Sequence, residues 1–371
     1  MAFRSNIHTN IGFWEKRGKS LKIGIIGSGK FGTSLAFNFA KNFKKVYLWN
    51  RTQTNKNEIL DKINNLNRGI LINKLNPNLK IVKSLKKIAE NSDIILLCIN
   101  AQSMFDFLAE NFNSFKKKPL VFCSKGIDTK YCLFQTEIAE RFLDKKLFSV
   151  LSGPGFASDI VKEKPIALSL ACKNVNLGKK LQHMLSSQSI RIYLNNDLIG
   201  TQLGGALKNV IAIACGIADA NRLGEGAKSA IITRGFSEIR QIGKSFDCKI
   251  ETLFGLSCLG DLTLTCNSKL SRNYNFGLKI GNNIKNKKDK KETIEGEKTA
   301  NAAVLISKKY KLDLPIIKTV NKLIIEDIDT TEAIKKLLER PLKKEYLSIP
   351  IVIWLKGSFR TNTNVFSLIF F

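Results

Sequence analysis

The first place where chemistry could reside is a lysine inside an apolar stretch. Lys208 follows Leu203-Gly204-Gly205-Ala206-Leu207 and opens onto the run NVIAIACG. An ammonium is costly to bury unpaired, and burial lowers its pKa, which suits it to acid–base work near neutrality. A snorkelling or interfacial lysine is the other reading of the same pattern. The second candidate is Asp261, the one charge in residues 255–267, with Thr265 four positions on. If this segment is helix, the two share a face. A buried carboxylate needs a partner, and Lys208 is a candidate. Gly260 before it leaves open a plain helix N-cap. The third candidate is Ser271-Arg272-Asn273, an arginine fork between two hydrogen-bonding side chains, suited to holding a phosphate.

Such groups need a scaffold, and the chain supplies one at its start. Residues 22–26, KIGII, form a β-branched run that reads as a buried strand, followed by Gly27-Ser28-Gly29-Lys30-Phe31-Gly32 and a helix start. In this G-x-G-x-x-G pattern Gly27 permits the tight turn, Gly29 lets a pyrophosphate approach the backbone, and Gly32 lets helix and strand pack closely. The helix N-terminus then faces the phosphates. A second strand, KVYLW at 45–49, leads into Asn50-Arg51-Thr52. An NAD-specific unit commonly carries an acid here for the ribose hydroxyls, whereas an arginine can hold a 2′-phosphate. NADP is therefore favoured over NAD.

A polar stretch follows, then a short helix at 84–90 and a strand at 93–100, DIILLCIN, whose unbroken apolar run suits burial on both faces. Helices at 103–113 and 133–142 alternate with strands at 119–124, 148–151, 166–171 and 190–193. Lys125 lies at the carboxyl end of the strand at 119–124, the side on which open α/β sheets bind ligands. From about residue 196 helical periods take over, and the glycines of 195–205 suggest a hinge. The predicted fold class is α/β: a Rossmann-type, doubly wound, mostly parallel sheet followed by an all-α C-terminal domain. The predicted limits are 1–20 for an extension, 21–195 for the NAD(P)-binding domain, 196–345 for the helical substrate-binding domain, and 346–371 for a basic, hydrophobic tail.

Composition bounds the rest. The 371 residues carry a formal charge of +29 with 44% hydrophobic residues. Lysines are spread along the chain, apart from a run within 281–292, and no RNA-binding signature with interleaved aromatics occurs. The charge therefore reads as biased composition that also favours an anionic substrate, and no nucleic-acid partner is expected. Eight cysteines without a C-x-x-C pair, mostly in apolar runs, read as buried small hydrophobes in a reducing compartment. Only two histidines occur, so a histidine-rich metal centre is excluded and no metal is expected. No apolar run reaches the roughly 20 residues of a membrane span, and a cytoplasmic protein without stable membrane insertion is expected.

Taken together, GSGKFGTSLA, SKG at 124–126, SGPGFA at 152–157, IGTQLGGALKNVIAIACG at 199–216, CLGDLTLTC at 258–266, SRN at 271–273 and IEG at 294–296 form one ordered set. In order and spacing they resemble the bacterial NAD(P)-dependent glycerol-3-phosphate dehydrogenases, over about residues 21–345. The resemblance implies reduction of dihydroxyacetone phosphate to sn-glycerol 3-phosphate, a phospholipid precursor, with NADP preferred or NAD as cofactor. It implies Lys208 as the proton-transfer residue, Lys125 near substrate and nicotinamide, and Asp261 beside the catalytic lysine. The implied substrate set is Lys125, Gly153, Gly155, Asn209, Asp261, Thr265, Ser271, Arg272 and Asn273, with Arg272 facing the phosphate. Lys30, Phe31, Arg51, Lys125, Ala157, Arg272, Thr293 and Glu295 fall at cofactor positions beside Gly27, Gly29 and Gly32. A homodimer is compatible with this reading.

The chain departs from the family pattern at Gly155, where many members carry a hydroxyl or amide side chain, and at Glu297-Lys298 after the IEG motif. Two other readings compete. One is a dehydrogenase of a hydroxy acid, against which Arg272 and Lys208 speak together. The other is a non-catalytic NADP-binding or membrane-associated regulator, which would need neither Lys208 nor Asp261.

Overall fold

The computed structural model describes residues 21–339 except 53, 69, 285–293 and 327. The readings for the extension, the tail, most of the basic run and Thr293 lie outside the described residues. The first strand, β1 (Lys22–Ile26), is buried from Ile23 onward, as its apolar run requires. Helix α1 (Lys30–Phe39) follows the glycine loop and buries its small and apolar face, Gly32 to Phe39. Then come β2 (Lys45–Trp49), α2 (Lys56–Asn67), β3 (Leu79–Ile81), α3 (Leu85–Asn91) and β4 (Ile94–Leu97). After them the chain forms α4 (Met104–Asn111), β5 (Leu120–Phe122), α5 (Gln135–Glu140) and β6 (Phe148–Ser152). This half ends with α6 (Ala157–Val161), β7 (Ile166–Cys172), α7 (Val175–Leu185) and β8 (Ile190–Asn195).

The strands form one sheet in the order β3-β2-β1-β4-β5-β6-β7-β8. Pairing is parallel throughout except between β6 and β7, which run antiparallel. The order reverses between β1 and β4, and ligands of such sheets bind outside the carboxyl ends of the strands at that switch point. Gly27 lies there, its N–H donating to Trp49 O at 2.8 Å. β4 is shorter than its apolar run, but all four residues are buried, as a central strand requires. The polar stretch after β2, to which the sequence assigned no element, holds α2 and the edge strand β3. Asn55 caps α2 by accepting from Glu58 N, and only Ile59 and Ile63 provide its buried apolar face.

The second half is built on α8 (Leu198–Ala220), buried over nearly its whole length. It is long and apolar enough to cross a membrane by composition, yet 89% of its apolar window is buried inside the protein, where it is the core of the helical half. Around it lie α9 (Gly224–Ser245), α10 (Ile250–Phe254), α11 (Asp261–Cys266), α12 (Arg272–Gly281), α13 (Glu295–Lys309), α14 (Pro315–Ile325) and α15 (Thr330–Leu338). In the stretch 195–205, read as a hinge from its glycines, only Asn196 and Asp197 separate β8 from α8, and Asp197 caps α8 by accepting from Gly200 N at 2.8 Å. Gly204 also serves packing, since a Cβ there would collide with Cys258. Further along, a Cβ on Gly216 would strike Tyr274 O, and one on Gly277 would strike Ile213 O. α8 and α12 therefore touch backbone to backbone, which sets where the start of α12 stands relative to Lys208.

Candidate active site

A π-helical turn, Leu256–Gly260, leads into α11 and leaves Gly260 in the N-cap place. Asp261 is the first residue within the helix, so its carboxylate is free of capping and turns inward. It is 1% exposed, and Lys208, near the middle of α8, is 7% exposed. Lys208 Nζ donates to Asp261 Oδ1 at 2.6 Å and to Thr265 Oγ1 at 2.8 Å. Thr265 Oγ1 in turn donates to Asp261 O at 2.6 Å, the one-turn spacing that placed both on one face. An ammonium has three N–H groups, and among the described residues the third has no partner.

The other carboxylate oxygen takes a second lysine. Lys125, just beyond β5, donates to Asp261 Oδ2 at 2.7 Å and to Gly153 O at 3.0 Å. Its ammonium also stands 6.0 Å from the centroid of the Phe31 ring, in the glycine loop. One buried carboxylate thus holds a lysine from each half of the chain. The electrostatics follow from that sharing. Burial lowers the Lys208 pKa to about 8, Asp261 opposes the shift, and the Lys125 charge adds to it. Lys208 is therefore protonated at neutral pH but can lose its proton at modest cost.

Around this pair stand the other residues singled out by sequence. Asn209 Nδ2 donates to Glu295 Oε2 and to Gly205 O, both at 3.4 Å. Burial holds the Glu295 carboxyl above its ordinary value, against the lowering pull of Arg272, Lys125 and Lys208. Arg272 is half-buried at the first position of α12. Its neighbours hold backbone in this structure. Ser271 Oγ caps α12 by accepting from Tyr274 N at 3.2 Å, and Asn273 Oδ1 accepts from Gly296 N at 2.9 Å at the start of α13. Gly155 has an ordinary backbone, and a Cβ there would come within 3.2 Å of Ile166 Cδ1. Ala157 opens α6.

The glycine loop fits a dinucleotide. Gly27 has φ +113°, a conformation open to glycine, and a Cβ on Gly32 would collide with Gly27 O. A Cβ on Gly29 would meet nothing within 4 Å, so the cradle at the start of α1 is clear. Lys30, at the start of α1, and Arg51, just beyond β2, are both exposed.

Comparison with known proteins decides the family. A family model described as the N-terminus of NAD-dependent glycerol-3-phosphate dehydrogenase matches residues 22–178, and its C-terminal counterpart matches 197–335. The chain belongs to the NAD-dependent glycerol-3-phosphate dehydrogenase family. A glycerol-3-phosphate dehydrogenase (NAD(P)+) of Roseobacter denitrificans is 39% identical over 327 residues, covering 88% of this chain and 100% of its own. One of Ruegeria sp. is 38% identical over 325 residues, with 88% and 100% covered. The crystal structure of glycerol-3-phosphate dehydrogenase from Coxiella burnetii superposes with a TM-score of 0.77 at 31% identity, covering 86% of this chain and 99% of that one.

For a member of the glycerol-3-phosphate dehydrogenase family, the structure adds a residue to those read from sequence. Ser152, at the end of β6, points its buried hydroxyl at Gly205; a Cβ on that glycine would lie 2.7 Å from Ser152 Oγ and 3.4 Å from Lys125 Cγ. That hydroxyl has no hydrogen-bond partner among the described residues. In the sequence only its place in the SGPGFA run marks it.

Proposed function

We propose that Lys208 gives and takes the proton in the interconversion of dihydroxyacetone phosphate and sn-glycerol 3-phosphate, the reaction of the family to which the chain belongs. The observation that carries this reading is Lys208 Nζ, buried and aimed by Asp261 Oδ1 at 2.6 Å and Thr265 Oγ1 at 2.8 Å. Gly27, Gly29 and the start of α1 would hold a nicotinamide cofactor, which would supply hydride to the ketone carbon. As the carbonyl oxygen gains negative charge, the Lys208 ammonium stabilises it and then protonates it; in the reverse direction neutral Lys208 accepts the hydroxyl proton. Lys125 adds a second cation beside that oxygen, and Asp261 keeps both lysines in place. Arg272 receives the substrate phosphate from the start of α12. The product is the precursor of the glycerol backbone of phospholipids.

NADPH is the preferred cofactor in this proposal, because Arg51 stands exposed at the end of β2 where an acid would serve the ribose hydroxyls of NAD. The purified protein is expected to oxidise NADPH in the presence of dihydroxyacetone phosphate but not of a hydroxy acid's keto form. Absence of turnover with the triose phosphate would overturn the assignment, and a clear preference for NADH would overturn the cofactor choice alone.

A further inference from the structure

Arg51 is not the one cation at the ribose end of the glycine loop. Lys62 reaches back from the middle of α2 and donates from Nζ to Ser28 O at 3.1 Å. Thr33 Oγ1 donates to the same oxygen at 3.1 Å. Ser28 Oγ lies 3.4 Å from Thr54 Oγ1, and Thr54 N donates to Asn50 Oδ1 at 2.9 Å. These bonds stitch the glycine loop to the turn after β2 that carries Arg51, and Lys62 stands where the two meet. That junction is where the ribose of a dinucleotide lies on such a unit.

The charge there is uncompensated. Among the described residues no carboxylate pairs with Lys62, whose hydrogen-bond partner is a neutral carbonyl. Glu58, one turn earlier on α2, is engaged instead by Asn55 Nδ2 at 3.0 Å, and Asp61 is exposed. A phosphate monoester carries a charge of about −1.5 to −2 near neutral pH, which one guanidinium does not neutralise. A lysine ammonium on a flexible stem is a point charge able to swing from the Ser28 carbonyl to a nearby phosphate oxygen.

We propose that Lys62 is a second specificity-determining residue for the cofactor, pairing with the ribose 2′-phosphate beside Arg51 and so favouring NADPH over NADH. The proposal rests on the NADPH reading of Arg51. It is tested on the full chain by calorimetry with two probes, 2′,5′-ADP and 5′-ADP, which differ by the 2′-phosphate. In Lys62→Gln, binding of 2′,5′-ADP is expected to weaken by about tenfold or more, the scale of one charge-assisted hydrogen bond. Binding of 5′-ADP is expected to change by less than about twofold, and Lys62→Arg to restore most of the loss. The NADPH-to-NADH ratio of kcat/KM should fall in parallel. Equal weakening of both probes would mean that Lys62 only holds the loop through Ser28, and would overturn the proposal, as would unchanged binding of both. If the wild type binds 2′,5′-ADP no better than 5′-ADP, the NADPH reading fails with it. If the wild type prefers 2′,5′-ADP and Lys62→Gln keeps that preference, the Lys62 assignment alone fails.

Discussion

Lys208 Nζ lies 2.6 Å from Asp261 Oδ1, although 53 positions separate the two residues in the chain. Because Lys125 occupies the other oxygen at 2.7 Å, the carboxylate is a hinge-pin for charge: it sets the orientation of both lysines and holds up the Lys208 pKa against burial.

The pH dependence follows with a definite sign. Reduction needs protonated Lys208, so kcat/KM for dihydroxyacetone phosphate is expected to fall above about pH 8, and oxidation of glycerol 3-phosphate to rise through the same region. Asp261→Asn removes the charge that favours the ammonium, leaving burial and Lys125 to act unopposed. Both limbs should then move to lower pH, with a loss of turnover. A limb that stays in place would show that another group titrates.

Arg272→Ala should mainly affect substrate capture. The side chain is half-buried, so solvent screening reduces its worth below that of a fully buried pair, and an increase in KM of at least about tenfold is expected with a smaller change in kcat. Steady-state kinetics with the triose phosphate measure it. An unchanged KM would remove Arg272 from the phosphate site.

Gly277→Ala should disturb stability and substrate binding together. A Cβ there would strike Ile213 O, forcing α12 away from α8; overpacking of this kind costs about 1–3 kcal/mol. Because α12 carries Arg272 at its start, KM should rise as well. Gly226→Ala on α9 is the contrast, since its Cβ would meet nothing within 4 Å and helix propensity favours alanine by roughly 0.5–1 kcal/mol. Thermal unfolding of the two variants should shift in opposite directions, and equal shifts would contradict the close α8–α12 contact.

Legibility in the sequence tracked how much of an element's structure is dictated locally. β1, the glycine loop and α1 were readable because an apolar run, three spaced glycines and a helix start each have one physical purpose. β4 was readable because burial on both faces leaves an unbroken apolar run. α2 and β3 were not: α2 shows the core only Ile59, Ile63 and Asn67, and β3 is a three-residue edge strand. In the site, the cost of a buried charge pointed to a partner for Asp261, and Lys208 is that partner. Lys125 was legible as a site residue at the carboxyl end of its strand, but its pairing with the same carboxylate, 136 positions away, was not. Ser271 and Asn273 were read for ligand binding, yet their side-chain oxygens accept backbone N–H groups here, a use that the same residue types serve equally well. Lys62 left no pattern at all; its meaning depends on α2 lying against the glycine loop.

The most direct test of the account is turnover of dihydroxyacetone phosphate with NADPH by Lys208→Ala beside the wild type. Lys125 still pairs with Asp261 in that variant, so the fold is expected to survive, as circular dichroism can check. The account expects kcat to fall by at least about a hundredfold, the scale of losing a general acid. A folded variant with turnover close to wild type would contradict it.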